Sequence, residues 1–112
     1  MNDGYEVIWS ETADFDLSEI IGYIADRNPL NAQTVFKKIK RIGSDLHISP
    51  EIERIVPELW NYGILQYREL IIAPWRIIYR IYRIAEKKVF VLSVIDGRRN
   101  VEDLLLNRMI RG

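Results

Sequence analysis

The chain contains no cysteine and a single histidine among its 112 residues. Without cysteine there is neither a disulfide nor a thiolate metal site, which fits a reducing cytoplasm. One histidine with no cysteine partner offers no convincing ligand set, so no metal and no cofactor is expected. Long apolar runs are missing too. The uninterrupted apolar stretches fall far below the ~20 residues that span a bilayer, so no membrane association is expected. The N-terminal MNDGYEVIWS carries acid and no long apolar run, which predicts no signal peptide. Internal repeats and low-complexity segments are absent. Net charge is absent as well, since sixteen Lys and Arg balance sixteen Asp and Glu.

What is present is globular: 48% hydrophobic and 29% charged residues, in a length that suits one domain over 1–112. The neutral total conceals a polarity. Residues 1–60 hold six Lys and Arg against eleven Asp and Glu, a net of −5. Residues 61–112 hold ten against five, a net of +5, and are richer in strand-forming sequence. Either the halves neutralise each other across the fold, or a basic face on a sheet is backed by acidic helices.

Local signals predict the elements. Tyr5–Ser10 reads as a terminal or edge strand. Ser10 caps a helix with Glu11 and Asp14 in its first turn, where acids suit the positive dipole end. Ala13, Leu17, Ile20, Ile21 and Ile24 form its apolar stripe. Asn28 followed by Pro29 restarts a second helix that runs to about Leu46. Its apolar residues are Ala32, Val35, Phe36, Ile39, Ile42 and Leu46, and Lys37, Lys38, Lys40 and Arg41 lie outside. Glu51–Gly63 has no clean period and reads as an ordered loop. Three strands follow, Leu65–Ile72, Trp75–Ile84 and Lys88–Asp96, broken at Ala73-Pro74, near Glu86-Lys87 and at Gly97. Asn100 caps a last short helix, with Leu104, Leu105, Leu106, Met109 and Ile110 apolar. The fold class is therefore α+β, in the order β-α-α-β-β-β-α. The helical hairpin packs on one face of a small, mainly antiparallel sheet, and the other face stays at least partly open.

Arginines inside strands usually mark a face that is not core. Alternation puts Arg76, Ile78, Arg80 and Tyr82 on one side of the second long strand. Arg68, Leu70 and Ile72 share a side of the first. Arg68, Arg76 and Arg80 are expected to be neighbours on the open face, with Arg98 and Arg99 reaching the same region from the end of the third strand. The candidate binding face is thus Arg68, Leu70, Ile72, Arg76, Ile78, Arg80, Arg98 and Arg99. Its apolar residues among arginines suit an acidic, amphipathic segment of a partner. A groove between the hairpin and the sheet edge is the second candidate. Glu69 alternates away from Arg68 and is expected to pair with another arginine. Trp60, Tyr62 and Trp75 are expected to close a core, Tyr79 to be a core or rim residue, and His47 to be a solvated helix-end residue.

An ordered series across nearly the whole chain resembles the RelE/ParE superfamily of bacterial toxins, the poisonous halves of type II toxin–antitoxin (plasmid stabilisation) modules. The series is Val7-Ile8-Trp9-Ser10, then Ala13, Leu17, Ile20, Tyr23 and Ile24, then Pro50 and Val56-Pro57-Glu58-Leu59. Arg68-Glu69, Trp75-Arg76-Ile77-Ile78-Tyr79-Arg80, Val91-Leu92-Ser93-Val94 and Gly97-Arg98-Arg99 complete it. The resemblance implies a bacterial, cytoplasmic toxin neutralised by a cognate antitoxin, as a dimer or a hetero-oligomer with it.

The superfamily divides by target. RelE-like members cut messenger RNA on the ribosome, and ParE-like members inhibit DNA gyrase. Cleavage through the 2′-hydroxyl needs a base, an acid and cations for the phosphorane charge. Arg68 and Arg76 match cationic positions of the RelE-type site. Leu70 stands where a further basic residue is expected, and no Tyr or His follows Arg99. A neutral chain also lacks the strong basicity common in ribosome binders. The reading is a ParE-like toxin that binds a protein target, DNA gyrase by resemblance, with no chemistry of its own. The alternative is a ribosome-dependent mRNA endonuclease using Arg68 and Arg76. A silent member that only binds its antitoxin is the third.

Overall fold

The computed structural model describes residues 4–82 and 86–111. The order is β1 (Glu6–Trp9), α1 (Glu11–Ala25), α2 (Pro29–Ser44), α3 (Pro57–Trp60), β2 (Tyr67–Ile72), β3 (Trp75–Tyr82), β4 (Lys88–Asp96) and α4 (Val101–Arg111). Short 3-10 turns occupy Asp45–His47 and Pro50–Ile52. The expected order is present, with the single turn α3 added inside the stretch read as loop. The second long strand was expected to reach Ile84. β3 ends at Tyr82, and Arg83 and Ile84 lie outside the described residues.

The capping signals act where the side chains put them. The Ser10 hydroxyl accepts from the Ala13 N–H at 3.1 Å, and the Asn28 side chain accepts from the Asn31 N–H at 3.1 Å. Asn100 does the same for Asp103 at the start of α4. α2 stops at Ser44 rather than Leu46. The chain tightens there into a 3-10 turn that still buries Leu46.

The sheet order is β1-β4-β3-β2. β2, β3 and β4 form the antiparallel meander, and β1 joins β4 in parallel. α1 and α2 cover one face. Ala13, Leu17 and Ile39 meet Ile72, Ile77, Tyr79, Val89, Val91 and Val94 in the main core. Each fully buried aliphatic side chain there contributes roughly 1.5–3 kcal/mol. A bulge in β4 sets which side chains reach it. Ile78 pairs with Ser93 and Tyr79 with Val91, which leaves Leu92 as an extra residue. Val91 and Val94 are three apart, yet both enter the same core. α1 satisfies the polar groups that the bulge frees. The Ser10 hydroxyl donates to the Leu92 carbonyl at 3.2 Å, and the Val94 N–H donates to Asp16 at 3.0 Å.

The far face of the sheet differs from expectation. It was expected to be at least partly open, but a second core covers much of it. Val56 and Leu59 from α3 and its approach, and Val101 and Leu105 from α4, pack on Ile78 and Ile95. A four-residue helical turn has no periodicity to read. The leucines of α4 read as apolar from sequence, but nothing local says which face they close.

Candidate functional site

The turn between β2 and β3 decides which arginines meet. It pairs Ile72 with Trp75, Ile71 with Arg76, Arg68 with Tyr79 and Tyr67 with Arg80. Directly paired residues share a face. Arg68, Leu70 and Ile72 therefore lie on the hairpin side, and Arg76, Ile78 and Arg80 lie on the α3/α4 side. The expected trio of Arg68, Arg76 and Arg80 on one face is corrected. Leu70 and Ile72 belong to the main core rather than to a binding face. Arg68 donates from Nη1 to the Glu53 carbonyl at 2.6 Å.

Arg76 is nearly buried, at 8% exposure, and Glu69 more so, at 1%. The Arg76 Nε donates to Glu69 at 2.6 Å. Its two terminal nitrogens form a fork on Glu58 at 2.8 and 2.6 Å. Arg54 holds the second oxygen of Glu69 at 2.5 Å. Two cations and two carboxylates thus neutralise one another while joining β2, β3, α3 and the loop before it. The hydrogen bonds from Arg76 hold the Glu58 carboxyl below its ordinary range, against the opposing effect of burial. Glu69 pairs with arginine, as its alternation away from Arg68 suggested.

Tyr79 lies in the core. Its hydroxyl donates to the Pro50 carbonyl at 2.5 Å, and burial raises its pKa well above the ordinary tyrosine value. Arg98 folds back on Asp96, with its side chain donating at 2.9 and 2.7 Å and its backbone N–H at 2.9 Å. Those bonds pull the Asp96 carboxyl down to about 2. Arg80 lies over the rings of Tyr82, at 4.9 Å, and Tyr67, at 5.9 Å. His47 is exposed at the helix end, its Nδ1 2.8 Å from the Ser44 carbonyl. Trp60 and Tyr62, expected in a core, are each 55% exposed, whereas Trp75 packs against the main core.

A groove of about 830 Å³ opens between α4 and the sheet. Leu59, Ile78, Leu92, Leu105 and Met109 supply its apolar lining, and Ser10, Thr12 and Asn107 are among its polar lining. Tyr67 reaches it beside Arg80, and Ser93 and Arg108 lie within it. Arg108 does not hang free. Its two terminal nitrogens fork onto Asp16 at 2.8 Å each, and one also reaches Ser93 at 2.8 Å. This clamp ties α4 to α1 across the end of β4 and fixes one wall of the groove. The sequence reading missed both Asp16 and Arg108. The available signal was an acid at position 16, between Ala13 and Leu17 on the buried stripe of α1. The groove therefore offers apolar area with a polar rim, a combination that suits a peptide segment.

A model of the ParE toxin of type II toxin–antitoxin systems, parDE, matches residues 7–101. The chromosomal ParDE toxin–antitoxin system from P. aeruginosa contains a similar chain. Its TM-score is 0.65 and its identity 17%, over 82% of this chain and 95% of that one. The toxin–antitoxin complex RelBE2 from Mycobacterium tuberculosis contains another, with a TM-score of 0.56 and 19% identity over 83% and 91%. At these identities the two structures speak to the fold alone, and the fold agrees with both branches. No curated protein matches the chain.

Proposed function

Because the chain belongs to the ParE toxin family of type II toxin–antitoxin systems, we propose that it arrests growth by binding DNA gyrase and that a cognate antitoxin neutralises it. The commitment of Arg76 carries the choice of target. A nuclease would need that cation free for phosphate, yet it is 8% exposed and bonded to two carboxylates. Arg68, on the other face of the sheet, cannot join Arg76 around one phosphate.

The antitoxin segment enters the groove between α4 and the sheet. Its apolar residues meet Leu92 and Met109 above Ile78 and Leu105, and its acidic residues meet Arg80, beside Tyr67, at the margin. This revises the expected face and keeps Ile78 and Arg80 in it, while Arg99 lines a separate crevice with Glu19 and Asp96. The reading places the toxin in the cytoplasm with its target. Among the described residues no helix is long and apolar enough to cross a membrane.

The test adds the purified chain to gyrase and relaxed plasmid. Loss of supercoiling, reversed by a stoichiometric antitoxin, is the expected result. Undiminished supercoiling at a large molar excess of chain contradicts the gyrase reading.

A further inference from the structure

The two helices of the hairpin carry opposite charge. α1 holds Glu11, Asp14, Asp16 and Glu19 and no cation, while α2 holds Lys37, Lys38, Lys40 and Arg41 and no acid. The expected acidic helical back is therefore half basic. The acids do not neutralise the cations. Asp16 turns inward to Arg108, and Glu19 lines a crevice against Asp96 and Arg99. Among the described residues, no carboxylate lies within ion-pair distance of Lys37, Lys38 or Arg41. By contrast, Arg54, Arg76, Arg98 and Arg108 all have carboxylate partners.

Helical spacing gathers these cations with other donors. Lys37 and Arg41 are one turn apart, about 6 Å along the axis. Gln33, Thr34, Lys38 and Ser44 are exposed beside them. Lys40 bends away over the Trp9 ring at 4.1 Å. The result is a straight, donor-rich strip with a concentrated positive field and no carboxylate in contact. An acidic protein segment normally adds several apolar anchors to its charge, whereas the residues exposed from Lys37 to Ser44 are all polar and Phe36, 42% exposed, is the single apolar side chain flanking them. Single-stranded nucleic acid would ask for a row of stacking rings, and α2 exposes one, Phe36. A phosphate backbone asks only for cations and donors in a row.

We propose that the outer face of α2 binds the backbone of duplex DNA, without sequence preference, through Lys37, Lys38 and Arg41. This inference does not depend on the identity of the toxin's target. Three phosphate contacts give a slope of log affinity against log salt of about −2.7, so affinity falls ~40-fold between 50 and 200 mM salt.

The test titrates the purified full chain with a 20-base-pair duplex of arbitrary sequence and follows backbone amide shifts by NMR. The expected result is shifts confined to α2, with that salt slope, in the micromolar to submillimolar range. They should vanish in the triple variant Lys37→Ala, Lys38→Ala, Arg41→Ala, whose remaining spectrum reports an intact fold. The variant sites are exposed and alanine is a strong helix former. Absence of shifts at 50 mM salt overturns the proposal, as does undiminished binding by the triple variant. Equal binding of a double-stranded RNA, or stronger binding of a polyglutamate peptide, overturns the assignment to DNA. Gyrase inhibition is read in a separate assay, so failure here leaves the gyrase result standing and the reverse also holds.

Discussion

Arg76→Ala should destabilise the chain by about 3–5 kcal/mol, the usual cost of removing one partner from a buried ion pair. The structure gives the reason for a value in that range. Glu69 is 1% exposed and would keep only Arg54, whose side chain is 56% exposed, as its cation. Glu58 would lose both bonds of its fork. Removing Arg76 and Glu69 together, as Arg76→Met with Glu69→Leu, should cost far less, about 1–2 kcal/mol. Arg54 is then free in water, and Glu58, 27% exposed in its side chain, regains hydration. The measurement is urea unfolding of the free chain at pH 7, followed by far-UV circular dichroism for wild type and both variants. If Arg76→Ala costs under about 1 kcal/mol, Arg76 is not the centre of a buried network and the structural role is refuted. The same result follows if the double variant is less stable than the single one. Toxicity adds an independent reading. The folded double variant should arrest growth as wild type does, whereas an enzyme that used Arg76 would lose its activity by orders of magnitude.

Further outcomes are expected at Asp16, at two glycines and at Glu58. Asp16→Asn should cost about 2–3 kcal/mol, because Asp16 holds both Arg108 and the Val94 N–H, and hydrogen exchange in α4 should accelerate more than in α2. Gly43→Ala should destabilise by about 1–3 kcal/mol in thermal unfolding, since its added carbon meets the Trp9 ring at 2.8 Å. Gly22→Ala, with nothing within 4 Å of that carbon, should stabilise by about 0.4–1 kcal/mol. On acidification, the contribution of Glu58 should be intact above its ordinary value of 4.5 and be lost as pH falls through its depressed folded value. Glu58→Gln should flatten the stability curve in that window, measured as the urea midpoint against pH.

Much of the frame was legible because it rests on local signals. Ser10, Asn28 with Pro29, and Asn100 each announce a helix start by a hydrogen bond within three residues. β3 reads as a strand from its β-branched and aromatic residues, although Arg76–Tyr79 are buried on both faces and do not alternate in burial. The single turn α3 left no period, and its start at Pro57 was the sole local sign. Parity alone separates Arg68 from Arg76. A two-residue turn pairs even-numbered residues of β2 with odd-numbered residues of β3, so Arg68 faces with Tyr79 and never with Arg76. Leu92 is a different case. A bulge is set by what the opposite strand and α1 offer, here Ser10 and Asp16, and the sequence of β4 does not disclose it. The pairing of Arg76 with Glu58 and of Arg108 with Asp16 likewise depends on contacts 18 and 92 residues apart.

The charge division by halves of the chain was real but did not map onto faces. Acids at 58 and 69 neutralise arginines at 54 and 76, and Lys37, Lys38 and Arg41, with no carboxylate partner among the described residues, sit within the acidic half. Position in space, not position in sequence, decides which charges remain available to a partner.

The central claim, a toxin that acts by binding gyrase rather than by cutting RNA, is tested most directly in cells that express the chain without its antitoxin. Pulse labelling of DNA, RNA and protein synthesis is followed alongside the integrity of transcripts and of the chromosome. The account expects early loss of DNA synthesis, chromosome breaks and filamentation with transcripts intact. Early loss of translation with cleaved transcripts and an unbroken chromosome would contradict it.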